Sequence, residues 1–202
     1  MVDEAVLEAG LRSGDEASFL TAVQTWTPAM TRIARAFSGD PVVAARLVRE
    51  AWLDVLGELA SASGQPTGRL RASVLQAVVV RSRAAARERG SVLVREELPG
   101  ADAGRPTVDP SRFRTPADPH PGGWKSFPAA WPAGVDLRPV LLDALDRLPG
   151  MQQAVVVLRD EQGCSVDEVC RMLDLAPEQQ RAILHRGRAT LRQAVEDHLA
   201  AS

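Results

Sequence analysis

Residues 165–188 read SVDEVCRMLDLAPEQQRAILHRGR, and this stretch contains the start and stop signals of two helices. Ser165 and Glu168 have the spacing of a capping box, in which each side chain bonds a free backbone amide at the start of a helix. Pro177 suits the first turn of a second helix, where its missing N–H would have no partner. Asp174 lies between the two, and aspartate tolerates a left-handed backbone better than most residues. The stretch therefore predicts a helix-turn-helix.

The composition of this stretch also suits a helix-turn-helix. The apolar residues at the positions that such a motif buries are Val169, Leu173, Leu175 and Ile183. From Pro177 to Arg192 there are four arginines and one acid, Glu178. Cationic groups bind phosphates and forked donors read base edges, so a helix of this kind suits the major groove of DNA. Two packed helices with a solvated basic face remain the alternative interpretation.

Helical patterns continue on both sides of this stretch. Residues 137–148 and 151–160 predict two more helices, separated by Pro149-Gly150. Residues 1–95 predict four helices, with Asp15 and the pair Asp40-Pro41 as start signals. In the third of these, one buried side is expected to hold Val43, Leu47, Leu53 and Leu56. No strand pattern of useful length occurs, so the predicted fold class is all-α.

The middle of the chain differs from the two ends, because eight prolines fall between residues 99 and 136. Proline removes a backbone donor and clashes with the preceding turn, so regular helix is excluded there. We therefore predict two small helical domains, residues 1–95 and 137–202, joined by a Pro/Gly-rich linker over residues 96–136. The linker also holds four aromatic residues, which pack either on the chain's own domains or on a partner: Phe113, Trp124, Phe127 and Trp131.

Composition excludes several classes of protein. The chain has 202 residues, of which 45% are hydrophobic and 25% charged, which is typical of globular proteins. No apolar run is long enough to span a bilayer, so membrane insertion is not expected. The two cysteines, Cys164 and Cys170, are too few for a disulfide scaffold and fit the reducing cytoplasm.

Catalysis, cofactor binding and metal binding have no support in the sequence. The three histidines are scattered, so no metal site is indicated. Phosphate-binding loops, nucleophile elbows and HExxH motifs do not occur. We therefore expect a protein that is not an enzyme and that has no cofactor, no catalytic residues and no bound metal.

A second basic stripe lies at the end of the N-terminal half. Its members are Arg69, Arg71, Arg81, Arg83, Arg87, Arg89 and Arg95. A solvated helix face would explain the stripe. Two basic helices in two domains, however, favour binding to one extended polyanion.

The residues described above resemble a known family, the bacterial RNA polymerase sigma factors. Residues 148–163 read LPGMQQAVVVLRDEQG, and with 165–170 (SVDEVC) and 180–188 (QRAILHRGR) they are similar to sigma region four. The similarity is strongest to the extracytoplasmic-function (ECF) group, in the branch with a QRxxLHRxR signature. The linker resembles the same branch in Asp109–Phe113, Gly123-Trp124 and Pro128–Trp131. Sigma region two is matched more weakly by Gly14-Asp15-Glu16, Phe19, Gly39-Asp40 and Leu47–Leu53.

The resemblance implies a factor that directs promoter-specific transcription initiation by core RNA polymerase. Region four would read minus-35 DNA and contact the flap of the second-largest subunit, with these DNA-binding residues: Gln179, Arg181, Ala182, His185, Arg186 and Arg188. Region two would capture a flipped minus-10 base and open the duplex, through Arg71, Val80, Arg81, Arg83 and Arg87. The clamp of the largest subunit would bind Leu47, Val48, Glu50, Trp52 and Leu53. An anti-sigma factor is a further implied partner.

Four positions depart from the family pattern. The family usually has an acid at Arg46, Trp at Ser73, Asn at Val80 and Asp at Arg83. The last two lie in the segment that captures the minus-10 base. Two alternatives therefore stay open: a diverged sigma-like protein that no longer melts promoters, and a helix-turn-helix regulator that acts without polymerase.

Overall fold

The structure is a computed structural model that describes residues 3–90 and 135–201, together with Thr115 and Ala117. In this part of the chain the backbone forms eight α-helices and no β-strand, which confirms the all-α prediction. The helices are α1 (Glu4–Ser13), α2 (Glu16–Ser38), α3 (Pro41–Ser61), α4 (Leu70–Glu88), α5 (Arg138–Asp146), α6 (Gly150–Val156), α7 (Val166–Leu173) and α8 (Pro177–Ala201). A π-helical segment, Val157–Glu161, continues α6.

Aspartates cap the first three helices, and at the start of α1 Asp3 accepts hydrogen bonds from the amides of Ala5 and Val6. Asp15 accepts a hydrogen bond from the Ser18 amide, and Asp40 accepts from the amides of Val42 and Val43. These contacts satisfy amides that have no partner within the helix. The two start signals predicted from the sequence are thereby confirmed.

Helix α2 is the centre of the N-terminal group of helices, which we define as α1 to α4. It packs against each of the other three. Its buried side carries Trp26, Met30, Ile33 and Phe37, all at most 4% exposed. One prediction about α3 is wrong: Leu53 is 62% exposed and does not share the buried side with Leu47. The buried side of α3 is formed instead by Ala44, Leu47, Val48, Ala51, Trp52 and Val55.

A buried carboxylate attaches the loop before α4 to α1. Glu8 is 2% exposed and accepts hydrogen bonds from the backbone amides of Thr67 and Gly68, at 2.9 and 3.0 Å. Arg12 forms an ion pair with it at 2.6 Å. Burial acts to raise the pKa of Glu8, but the bonds from Thr67 and Gly68 and the charge of Arg12 outweigh it, and the pKa is lowered. This contact fixes the start of α4.

The C-terminal group of helices, α5 to α8, is built around α6. Residues 153–158, which include the end of α6 and the start of the π-helical segment, are all buried. Helix α8 packs against α5, α6 and α7. It approaches α6 closely at Gly187, where a Cβ atom would lie 2.7 Å from a methyl carbon of Val156.

The two groups also pack against each other. Helix α6 contacts α2, and α7 contacts α4, so that one continuous hydrophobic cluster includes buried residues of both groups. The proposed linker lies outside the described residues except at Thr115, Ala117, Val135 and Asp136, and its four aromatic residues are all outside them. Within the described residues, no helix is both long and apolar enough to cross a membrane.

Candidate nucleic-acid interface

Helices α7 and α8 form the helix-turn-helix expected from the sequence. Ser165 Oγ accepts from the Glu168 amide at 3.2 Å, and Glu168 Oε2 accepts from the Ser165 amide at 2.7 Å. The backbone hydrogen bond from Ser165 is the main cause of the lowered pKa of Glu168. Asp174 ends α7 in the left-handed region, with φ of 57°. The capping box and the aspartate turn are thus both confirmed.

The interior of this motif is apolar apart from one side chain. The four predicted interior residues, Val169, Leu173, Leu175 and Ile183, are each at most 7% exposed. Gln180 is 2% exposed, and its Nε2 has no hydrogen-bond partner within the described part of the chain. Gln179 Oε1 accepts from the Ala176 amide at 2.9 Å, so this side chain helps to cap α8.

The exposed face of α8 is basic. Arg181 and His185 are exposed one turn apart, whereas Ala182 and Arg186 are half-buried. Arg188 is exposed but makes two hydrogen bonds to Asp160, at 2.9 and 2.5 Å, and the pKa of Arg188 is raised chiefly by these bonds. Arg181 therefore lies exposed in the second turn of α8.

The minus-10 residues implied by the resemblance do not form one free face on α4. Val80 and Arg87 are exposed. Arg81 makes two 2.6 Å hydrogen bonds to Asp54 of α3 and lies 3.4 Å from Glu50. Hydrogen bonding from Arg81 lowers the pKa of Asp54.

Arg71 and Arg83 point instead towards the C-terminal group. Arg71 Nη1 donates to the carbonyl of Gln162, and Arg71 Nε lies 3.7 Å from Glu4. Arg83 Nη1 donates to the carbonyl of Met172 at 3.1 Å. These two arginines bind protein groups and stay half-buried, with 28% of the Arg71 side chain and 16% of the Arg83 side chain exposed.

The polymerase-docking residues implied by the resemblance divide into two layers. Leu47, Val48 and Trp52 are buried, at 2%, 5% and 7% exposure. The indole N–H of Trp52 donates to Thr27 Oγ1 at 3.1 Å. Glu50 is half-buried and Leu53 is exposed, so only these two can contact a partner directly.

The sequence reasoning missed the contact between the two groups of helices. A signal for it exists in residues 154–158, which read AVVVL. An apolar run without a polar face indicates a helix that is covered on all sides. Helix α6 is covered by α8 on one side and by α2 on another.

Comparison with known proteins agrees with this geometry. Residues 139–191 match the family model for sigma-70, region 4. A solved structure with a similar fold is the sigma factor RpoE in complex with the anti-sigma factor NepR from Bartonella quintana. The two chains are 16% identical, with a TM-score of 0.50, and the match covers 88% of this chain and 96% of RpoE. No curated protein sequence matches the chain.

Proposed function

We propose that the chain is a sigma factor of the ECF type that directs promoter-specific initiation by core RNA polymerase, with the region 4 match and the similar fold as support. The observation that carries the proposal is the basic face of α8, held by a complete helix-turn-helix within the segment that matches region 4. The QRxxLHRxR branch remains part of the proposal.

The proposed minus-35 surface uses the first turns of α8. Arg181 faces solvent close to the helix start, where a recognition helix meets base edges. Arg186 lies further along and is better placed for phosphate. Gln179, Ala182, His185 and Arg188 surround them, although Arg188 must first leave Asp160.

The proposed clamp-binding surface lies on the exposed side of α3. Leu53 is its apolar centre, with Glu50 beside it and Arg46 one turn before Glu50. Beneath this surface lie three buried residues of the same helix, Trp52, Leu47 and Val48. A single exposed leucine is ordinary on a protein surface, so the proposal for Leu53 rests on the similarity of Leu47–Leu53 to the region-two pattern.

A direct test compares Leu53→Asp with Val6→Asp, a matched change at another exposed apolar residue. We expect Leu53→Asp to reduce capture by core polymerase at least tenfold, and Val6→Asp to leave it unchanged. Thermal melting of both variants should match the parent. Equal capture of the two variants would contradict the α3 surface.

Run-off transcription tests the function as a whole. We first select DNA fragments for binding to the chain. We then expect the chain, together with core polymerase, to start transcription from a selected fragment. A second candidate, a sigma-like protein that does not melt DNA, is favoured by Val80 and Arg83, which stand where the family pattern has Asn and Asp. Transcription from a pre-melted template alone would support that candidate, and no polymerase binding at all would favour the plain regulator.

The proposal also includes partners and location. RpoE was solved with an anti-sigma factor, which supports such a partner here. The flap of the second-largest polymerase subunit is the proposed contact of the C-terminal group. These partners place the chain in the cytoplasm, and the role needs no catalysis by the chain itself.

A further inference from the structure

Helix α8 passes so close to α6 that one of its arginines meets an acid of the π-helical segment. A Cβ atom at Gly187 would lie 2.7 Å from a methyl carbon of Val156, so the two helices approach closely at this point. Arg188 directly follows Gly187, and Asp160 lies about one helical turn after Val156. The close approach therefore places Arg188 beside Asp160.

Asp160 binds the guanidinium of Arg188 at two points. Arg188 Nε donates to Asp160 Oδ2 at 2.9 Å, and Arg188 Nη2 donates to Asp160 Oδ1 at 2.5 Å. Arginine binds a phosphate in the same two-point geometry, so Asp160 takes the place that a DNA phosphate would take. The pair is accessible to solvent, since 56% of the Arg188 side chain and 36% of the Asp160 side chain are exposed. Exposed ion pairs add little to stability, so we expect α8 to stay folded without this one.

The ion pair interrupts the exposed basic face of α8. Arg181, His185 and Arg188 are all exposed, and their spacing of four and three residues places them on one side of the helix. Within the described residues, Arg188 forms an ion pair, whereas Arg181 and His185 form none. A phosphate can therefore approach Arg181 without displacing an acid. At Arg188 it must displace Asp160 or accept a like charge beside it.

We propose that Asp160 limits the affinity of α8 for DNA by keeping Arg188 away from phosphates. Arg188 stays bound to Asp160 on duplexes of any sequence, and Arg181 and Arg186 provide the cationic contacts. Phosphate contacts carry no sequence information, and a genome offers a very large number of unselected sites. A lower affinity for all of them leaves more of the chain free for polymerase. The proposal rests on the proposed function, because it names what sets the strength of that DNA-binding surface.

The test compares the full-length parent with Asp160→Asn, which keeps the shape of the side chain and removes its charge. Affinity is measured on a scrambled duplex and on a duplex selected for binding to the chain. On both duplexes Asp160→Asn should bind more tightly than the parent, and its affinity should fall more steeply with salt. The slope should steepen by about 0.9, the contribution of one phosphate contact. The gain in affinity should then shrink about 3.5-fold between about 50 and about 200 mM salt.

Two further variants show whether the gain comes from Arg188. Arg188→Gln should leave the affinity and slope of the parent unchanged, and in combination with Asp160→Asn it should abolish the gain. The matched control is Asp143→Asn, which changes the net charge by the same amount and removes an exposed acid from its ion pair with Arg147. This control should have the slope of the parent, because Arg147 does not lie on α8.

Each departure from this pattern overturns the proposal. An unchanged slope in Asp160→Asn means that Asp160 withholds nothing. A loss of affinity in Arg188→Gln means that Arg188 contacts DNA while it is paired, so that Asp160 orients it instead. An equal gain in Asp143→Asn means that net charge alone explains the effect. Loss of helical circular dichroism in Asp160→Asn means that the acid is needed for the fold.

Run-off transcription by the parent separates this proposal from the proposed function. The expected slopes without run-off transcription support the role of Asp160 and contradict the sigma function. Run-off transcription with equal slopes in the parent and Asp160→Asn supports the sigma function and overturns the role of Asp160.

Discussion

Replacing Glu8 by alanine should loosen the attachment between α1 and the loop that leads into α4. The carboxylate accepts three hydrogen bonds from Thr67 and Gly68, at 2.9 to 3.0 Å, and one from Arg12 at 2.6 Å. Alanine removes all four acceptor contacts at once. It also leaves the Arg12 guanidinium without its carboxylate, although the second Arg12 contact, to the Gly64 carbonyl at 2.8 Å, remains.

The magnitude follows from these contacts. A hydrogen bond to a charged group contributes about 1.5–3 kcal/mol, but several of these donors can turn to water when the loop loosens. We expect a loss of about 3 kcal/mol in the free energy of unfolding. For a chain of this size that corresponds to a fall in Tm of roughly 6–12 °C.

The pKa of Glu8 adds a pH signature. Because this pKa is lowered in the folded chain, the carboxylate contributes stability that is fully present above the pKa of the unfolded glutamate, about 4.3. The contribution is lost as the pH falls through the folded pKa. The difference in stability between the parent and Glu8→Gln should therefore be constant above about pH 5 and should shrink at lower pH.

The assay is denaturant unfolding of the parent, Glu8→Ala and Glu8→Gln between pH 3.5 and 7, with Glu58→Ala as the control at an exposed glutamate. We expect Glu58→Ala to stay within about 0.5 kcal/mol of the parent. A loss below about 1 kcal/mol for Glu8→Ala, or a Glu8→Gln difference that does not depend on pH, would refute the reasoning.

Three further predictions concern α3, α8 and the turn between α7 and α8. Trp52→Ala should lower the free energy of unfolding by about 3–5 kcal/mol, and the folded fraction should still bind polymerase; normal stability would contradict its place in the core. Arg186→Ala should weaken binding to all duplexes and reduce the salt slope of the affinity by about 0.9. Arg181→Ala should reduce the free energy of binding by about 1–3 kcal/mol on a selected duplex only. Salt titrations on selected and scrambled duplexes distinguish the two effects. Asp174→Ala should cost about 1–2 kcal/mol in denaturant unfolding and Asp174→Gly less, because the turn is left-handed; equal losses would argue against this.

Much of the fold could be predicted because its signals are local. Asp15, Asp40 and Ser165 cap helices by bonding amides two or three residues away, so their effect is visible in the sequence itself. Pro177 and Asp174 act within one turn of the chain in the same way. The helix-turn-helix depends on such signals, and its interior residues were predicted correctly for that reason.

Other features depend on contacts between distant residues. Leu53 was predicted to be buried, because α3 has apolar residues on more than one side and the sequence does not say which side α2 and α4 cover. Arg32 and Glu161 lie 129 positions apart, and nothing local pairs them. The same holds for Arg83 and Met172, which are 89 positions apart.

The sequence by itself therefore determined the helices, their caps and the basic face of α8, because periodicity and capping act over a few residues. Only the tertiary structure decided what each arginine binds. Arg81 pairs with Asp54, Arg188 with Asp160, and Arg83 with the end of α7. The sequence shows how many arginines a helix carries. Whether those arginines can bind DNA depends on which carboxylates and carbonyls the packing brings within hydrogen-bond distance of them.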